Sequence, residues 1–440
     1  MTGRVLPAHG VGGRQDLPIP FELAVAGAAV ALVLSFAVLG LAWRRSRYRG
    51  EDSGRPLGVT RAVDSPWTRW ALRVLGLAGA AYLGLAMVFG PDLATNPTAG
   101  VVYVLLWVGI VPASLLFGPV WRLVNPLRTV HLLLCRALRL DPADGVLHLL
   151  ARVGLWPAAG WLVAFTWLEL DAPDRATVPV IRSWFAVFVA VSLVGAVLCG
   201  SRWFDHADPF EAYSSLVARL SWIGRRSDGE VVARRPLENL DGLVARPGLT
   251  AAVAALLGST MYDSASASPW WARAIQDSGI SPTLAGTAGL LVVVALVYLT
   301  FCGAVRWAGR IAGVDLPGLP DRFAHSVVPI AVGYVVAHYV TLFILEGQRT
   351  LVLLSDPLGT GADWLGTAGL TENRWIADQA TLVASIQVGA VVLGHVLGIV
   401  SAHDRAIRLF PRRSALAAQL PLLGVMVAYT VGGLLLLFAA

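Results

Sequence analysis

Ten stretches of this chain are long and apolar enough to cross a bilayer, and that leaves few folds open to it. They lie near 21–43, 70–90, 100–118, 147–168, 180–200, 248–264, 284–306, 325–347, 380–402 and 415–439. Each approaches the ~20 apolar residues that carry a helix across a hydrocarbon core. Lipid offers no partner to backbone N–H and C=O groups, so segments of this length close their hydrogen bonds internally as helices. The sixth stretch is the least apolar, because it runs into the polar sequence 259–268. Only 14% of the residues are charged, against about 25% in soluble proteins. The expectation is an all-α polytopic membrane protein with about ten transmembrane helices, forming one integral membrane domain over residues 1–440. The first apolar run is followed, not preceded, by Arg44 and Arg45, so it reads as a retained span.

Charge sets the expected orientation. All 34 basic residues are Arg. If the N-terminus lies outside and the spans alternate, 27 of these Arg fall on the inner side with only 15 of the 28 acids. This is the positive-inside pattern, and it predicts both termini outside. The pI near 9.6 then reflects topology and not a basic groove for nucleic acid. Cys135, Cys199 and Cys302 form no CxxC pair and fall near the inner side, as a reducing compartment permits. Arg without Lys, together with heavy use of Ala, Gly, Val and Leu, points to a high-GC genome. The expected partners are the lipid bilayer and a small-molecule substrate. Nothing in the sequence sets an oligomeric state.

The inner connections carry local signals. Residues 44–73 mix Arg with Gly, Pro and Ser and read as a flexible loop facing lipid headgroups. Trp121 precedes Asn125-Pro126, and Trp203 precedes Asp208-Pro209. Asn and Asp are good N-caps and Pro suits the first helical position. Two amphipathic helices on the cytoplasmic face are therefore predicted, over about 126–140 and 209–223. The likeness suggests an internal repeat of 70–140 by 147–223. Asp228-Gly229 before Glu230-Val231-Val232 predicts a small hairpin. On the outer side, residues 347–379 are long for a loop. Their apolar piece, 350–354, reads as a short outer helix or re-entrant segment that could cap a cavity.

Chemistry concentrates in the eighth span. Residues 329–348 hold Tyr334, His338, Glu346 and Gln348, and the ninth span holds Gln387 and His395. A charged group at membrane depth costs ~2.5 kcal/mol or more, so polar residues kept there need partners. Counting depth along antiparallel helices separates His338 from His395 by ~10 Å, too far to share a metal. The expected layers are His338 with Gln387 and His395 with Tyr334. Such layers serve as interhelical hydrogen bonds, as a proton or substrate relay, or as part of a metal site. Outer groups that could converge are His9, Asp16, Asp263, Glu346 and Asp356. The candidate catalytic residues are His338, Asp263 and Glu346; Tyr334, Gln387 and His395 are the relay candidates. A divalent metal ion held by His9, Asp263 and His338 could activate water. Asp205-His206-Ala207-Asp208 has the look of a ligand cluster, but Asp208 is better read as an N-cap. Gly12-Gly13 follows no strand and is no dinucleotide fingerprint, and there is no HExxH, GxSxG or P-loop.

Several stretches together resemble a bacterial, actinobacterial-type family of multi-span membrane proteins labelled fenitrothion hydrolase. They are AHGVGGRQDLPIP at 8–20, WRLVNPLR at 121–128, DPFEAYS at 208–214, STMYDSASASPWW at 259–271, AHY at 337–339 and GHVLGIVSAHDRA at 394–406. The resemblance implies a membrane-bound hydrolase of organophosphorus esters, and it assigns no catalytic residues. The residues themselves leave two alternatives open: a transporter or permease with an intramembrane His relay, and a non-catalytic membrane scaffold.

Overall fold

The computed structural model describes residues 13–147 and 150–439. In chain order its main helices are α1 (Phe21–Ala42), α2 (Pro66–Phe89), α3 (Gly100–Phe117), α4 (Pro126–Leu138), α5 (Trp156–Leu170), α6 (Val178–Cys199), α7 (Pro209–Val217), α8 (Leu249–Ser266), α9 (Pro269–Ser278), α10 (Pro282–Ala312), α11 (Leu319–Leu353), α12 (Ala380–Leu409) and α13 (Ala417–Leu437). Eight are long and apolar enough to cross a membrane: α1, α2, α3, α6, α10, α11, α12 and α13. The fold is thus that of an all-α, multi-pass membrane protein. The other two expected spans are helical, but one is too short and the other too polar. Helix α5 has 15 residues, because Gly154, at φ +55°, turns the chain just before it. Helix α8 has 18 residues, and its second half is polar.

The chain divides into two compact units. The first contains residues 1–48, 253–349 and 371–440, and so α1, α10, α12 and α13 with most of α8 and α11. Lipid tails supply little drive for helix association, so close van der Waals packing must supply it. Glycine makes that packing possible between α11 and α12. A Cβ at Gly333 would meet the Ala390 carbonyl oxygen at 2.4 Å, one at Gly394 the Pro329 oxygen at 2.5 Å, and one at Gly398 the Ser326 oxygen at 2.7 Å. The two backbones therefore touch along an antiparallel seam. Helix α12 also packs on α1 and α13. At its end Asp404 is fully buried. It accepts hydrogen bonds from Trp43 Nε1 at 3.0 Å, Ser46 Oγ at 2.7 Å and the Arg47 amide at 2.8 Å. That anchors the chain leaving α1.

The second unit contains residues 49–252 and 350–370. Helix α3 begins as a nine-residue π-helix, Gly100–Val108. Pro112 sits one turn later and cannot donate to the Val108 carbonyl, which fits the change of winding there. Both predicted caps form. Asn125 Oδ1 accepts from the Leu127 and Arg128 amides, and Asp208 Oδ1 from the Glu211 amide. The two caps also meet, with Asn125 Nδ2 donating to Asp208 Oδ2 at 2.9 Å. Arg128 and Glu211, three residues on in each helix, form a bidentate pair at 2.7 and 2.6 Å. Helix α4 exposes Leu133, Leu134 and Leu138, as an interfacial helix does. Helix α7 corrects the expectation of a second surface helix. Pro209 to Ser214, Leu216 and Val217 are all buried, because Phe210 packs among Phe165, Phe185 and Phe188.

The predicted hairpin is present as β2 (Ile223–Arg225) and β3 (Val231–Ala233), with Gly229 at φ +88° in its turn. A third strand, β1 (Arg55–Pro56), pairs with β3. Residues 49–63 are therefore not the free loop their composition suggests. Arg234, buried, donates to the Ser53 and Glu51 carbonyls at 3.0 and 2.9 Å and ties them down. Residues 350–353 are likewise no re-entrant segment. They complete the last turn of α11, after which Asp356 accepts from the Thr360 and Gly361 amides and closes a turn.

Candidate functional site

Helix α8 places two consecutive side chains, Asp263 and Ser264, against α11. They reach both nitrogens of one imidazole: His338 Nε2 lies 2.8 Å from Asp263 Oδ2, and His338 Nδ1 lies 3.1 Å from Ser264 Oγ. Tyr339 donates its hydroxyl to the same Asp263 oxygen at 2.6 Å. One helical turn before His338, the single hydroxyl proton of Tyr334 is shared between Ser264 Oγ and the Gly433 carbonyl oxygen, each 3.1 Å from the phenol oxygen. A Cβ on Gly433 would meet the Tyr334 ring at 2.9 Å, so a small residue on α13 makes room for that phenol. All of these side chains are buried. His338 is 9% exposed and Asp263 8%, which puts an ionisable pair out of water within apolar helices.

The hydrogen bonds fix the roles. An ionised carboxylate only accepts, so Nε2 of His338 carries a proton toward Asp263. In the neutral ring Nδ1 is then an acceptor facing the Ser264 hydroxyl; in the imidazolium it is a donor. Asp263 Oδ2 takes two donors, which is how a buried carboxylate is held without water. Two kinds of chemistry are open to this arrangement. A proton can pass between Asp263 and His338 and along Ser264 and Tyr334. Alternatively, His338, oriented by Asp263, can act as base toward the Ser264 hydroxyl.

The two expected layers do not form. His338 bonds to α8, and Tyr334 to α8 and α13. Among the described residues Gln387 Oε1 and His395 Nε2 have no hydrogen-bond partner, and His395 Nδ1 bonds the Val391 carbonyl of its own helix. The glycine seam explains this. Where Gly333 lies on Ala390, the faces carrying Tyr334 and His338 turn away from α12. The seam also puts His395 level with about Val328, ten residues or ~15 Å from His338. Glu346 stands eight residues beyond His338, ~12 Å along the helix, half-exposed and paired with Arg349 at 3.5 Å. Asp16 is half-buried and accepts from the Gly13 amide, and Asp356 serves its own turn. His9 lies outside the described residues. Among those residues no group of three or more His, Cys, Asp or Glu is placed so that it could hold a metal ion. The Asp263–His338 contact is a direct hydrogen bond with no room for an ion between them.

Ser264 and Tyr339 are site residues that the sequence did not single out. Ser264 is one of three Ser in 264–268 and had no distinguishing signal. Tyr339 adjoins His338 and was open to notice. Comparison with known protein families, with curated proteins and with solved structures gave no match for this chain.

Proposed function

We propose that the protein is a multi-pass bacterial plasma-membrane protein that handles protons at the Asp263–His338 pair, as a proton-coupled permease for a small molecule would. The observation that carries this reading is the 2.8 Å contact between two ionisable groups, both nine-tenths buried among apolar helices. Such groups are costly at membrane depth and commonly mark proton or substrate pathways. The test is proton flux into proteoliposomes across an imposed pH gradient, with infrared detection of carboxyl and imidazole protonation. Asp263→Asn and His338→Gln should each abolish the titrating bands and the flux. Wild-type behaviour in both variants rejects the relay.

One observation favours a second reading. Ser264, His338 and Asp263 stand in the order nucleophile, base and orienting carboxylate. The sequence resemblance supplies a substrate class for that order, an organophosphorus triester. His338 would take the Ser264 proton as Oγ attacks phosphorus and an aryloxide leaves; water would then release the phosphoryl group. Turnover of an aryl phosphotriester that Ser264→Ala leaves intact rules this out. Variants that lose stability but neither flux nor turnover return the protein to a scaffold role.

Ten crossings with both termini outside remain the favoured topology. Asn125 and Asp208 touch, and so do 142–147 and 198–201, where the Leu147 amide donates to the Leu198 carbonyl at 2.9 Å. These contacts support a topology in which both pairs lie on one side of the membrane and α5 crosses together with α6. Helix α8 runs antiparallel to α10, with Gly258 on Val294 and Gly289 on Tyr262. It therefore follows most of the depth of a full span. If α5 and α8 did not cross, the seven Arg between 202 and 246 would lie outside, against the positive-inside rule.

A further inference from the structure

A cavity of about 450 Å³ in the second unit is lined by Arg122, Gly154, Arg202, Asp205, His206, Arg246 and Pro247. Four distant stretches of chain converge on it. Its volume lies within the ~300–1,000 Å³ of ordinary ligand sites. Three guanidiniums face one carboxylate, leaving two positive charges in excess. Asp205 is already engaged by Arg122 and by Arg128, each at 2.9 Å. Arg202 and Arg246 are exposed, and neither has a side-chain hydrogen bond or ion pair among the described residues. His206 is oriented by Nδ1, 2.8 Å from the Gly154 carbonyl, so Nε2 is left for another partner.

The walls are fixed by backbone. The Leu155 amide donates to the Pro247 carbonyl at 2.7 Å. Gly154 and Gly248 both have positive φ, +55° and +82°; a Cβ on Gly154 would meet the Pro247 oxygen at 2.1 Å, and one on Gly248 the Trp156 nitrogen at 2.6 Å. The Arg246 segment is thus clamped to the start of α5, and the Arg cluster is held before any ligand arrives. Topogenic Arg need only lie on the correct side of the membrane. They need neither a shared cavity nor a rigid backing.

We infer that this cavity is an anion site that takes a phosphate group, with Arg202 and Arg246 as its principal ligands and Arg122 and His206 beside them. Arg forms paired N–H···O bonds to phosphate oxygens. Two sources share that chemistry: the headgroup of an anionic phospholipid, as basic pockets at the cytoplasmic face bind, and a soluble phosphate or phosphate ester. The inference does not depend on the Asp263–His338 reading.

The test uses full-length protein in nanodiscs. In phosphatidylcholine discs, inorganic phosphate is titrated and binding is followed by calorimetry and thermal unfolding. In parallel, phosphatidylglycerol is added to the discs without phosphate. Binding in the first arm assigns the site to soluble phosphate, and stabilisation only in the second assigns it to a lipid headgroup. In either case Arg202→Gln/Arg246→Gln should weaken the effect at least about tenfold, and Arg202→Lys/Arg246→Lys should restore part of it. Arg412→Gln/Arg413→Gln, which removes equal charge from exposed positions elsewhere, should leave it unchanged. Absence of an effect in both arms overturns the site, as does an effect that survives the Gln pair or falls equally in the control pair. The Gln pair removes no described contact. Should it not fold, Arg246→Gln alone gives the same reading.

Discussion

At the scale of single residues, Asp263 and Asp208 are both buried carboxyls, and they are satisfied differently. Asp263 Oδ2 accepts from His338 and Tyr339. Asp263→Ala leaves two donors aimed at apolar space, at ~1–3 kcal/mol each. Its unfolding temperature in detergent should fall further than that of Tyr339→Phe, which removes one donor along with its own bond. Equal loss would mean that the carboxylate is not the hub. Asp208 accepts from the Glu211 amide and from Asn125, and its carboxyl is pushed up to about 7 by burial and then by the Glu211 charge. Burial also raises Glu211, against the pull of Arg128. The fold thus favours the neutral form of Asp208. Its contribution is whole below the ordinary value of 3.8 and is lost as pH rises through about 7. Thermal stability should decline across that window, and Asp208→Asn should flatten the decline. A slope unchanged in Asp208→Asn would assign it elsewhere.

At the scale of elements, the α11–α12 seam is where sequence and packing meet most directly. Gly394→Ala puts a methyl 2.5 Å from the Pro329 oxygen, so the helices must separate, at ~1–3 kcal/mol for an overpacked contact. Gly389 lies on the same helix with nothing within 4 Å of its Cβ position. There Ala should be neutral or stabilising by up to ~1 kcal/mol, the helix-propensity difference. Thermal unfolding of the two variants side by side checks this, and similar losses in both would remove the seam from the argument. The caps are the second such element. Asn125→Ala removes an N-cap worth ~0.5–2 kcal/mol and takes the Asn125 Nδ2 donor from Asp208 Oδ2, so its cost should exceed that of a cap alone.

For the whole molecule, the favoured topology puts Asp16 and Asp356 outside and Arg412 inside. Single cysteines at these positions, in a background lacking the partly exposed Cys199, should react with an impermeant maleimide at the first two and be protected at the third. Protection of Asp356→Cys would reverse the orientation. Much of this molecule was legible in the chain: the apolar runs, the Arg bias, both Asx-Pro caps and the hairpin at Asp228-Gly229. Each depends on length, composition or contacts within a few residues, which a sequence carries directly. His338 and Asp263 were also visible, as ionisable residues in apolar runs. Their partnership was not. A helix turns about 100° per residue, so depth along two spans can be counted while the facing sides cannot. Gly333, Gly394 and Gly398 bring α11 and α12 into backbone contact, and that contact turns His338 toward Ser264 and Asp263 and leaves Gln387 Oε1 and His395 Nε2 without a partner among the described residues. The sequence by itself determined how many polar groups enter the apolar helices and at what depth. Only the tertiary structure decided which of them meet, because helix rotation is set by packing between segments far apart in the chain.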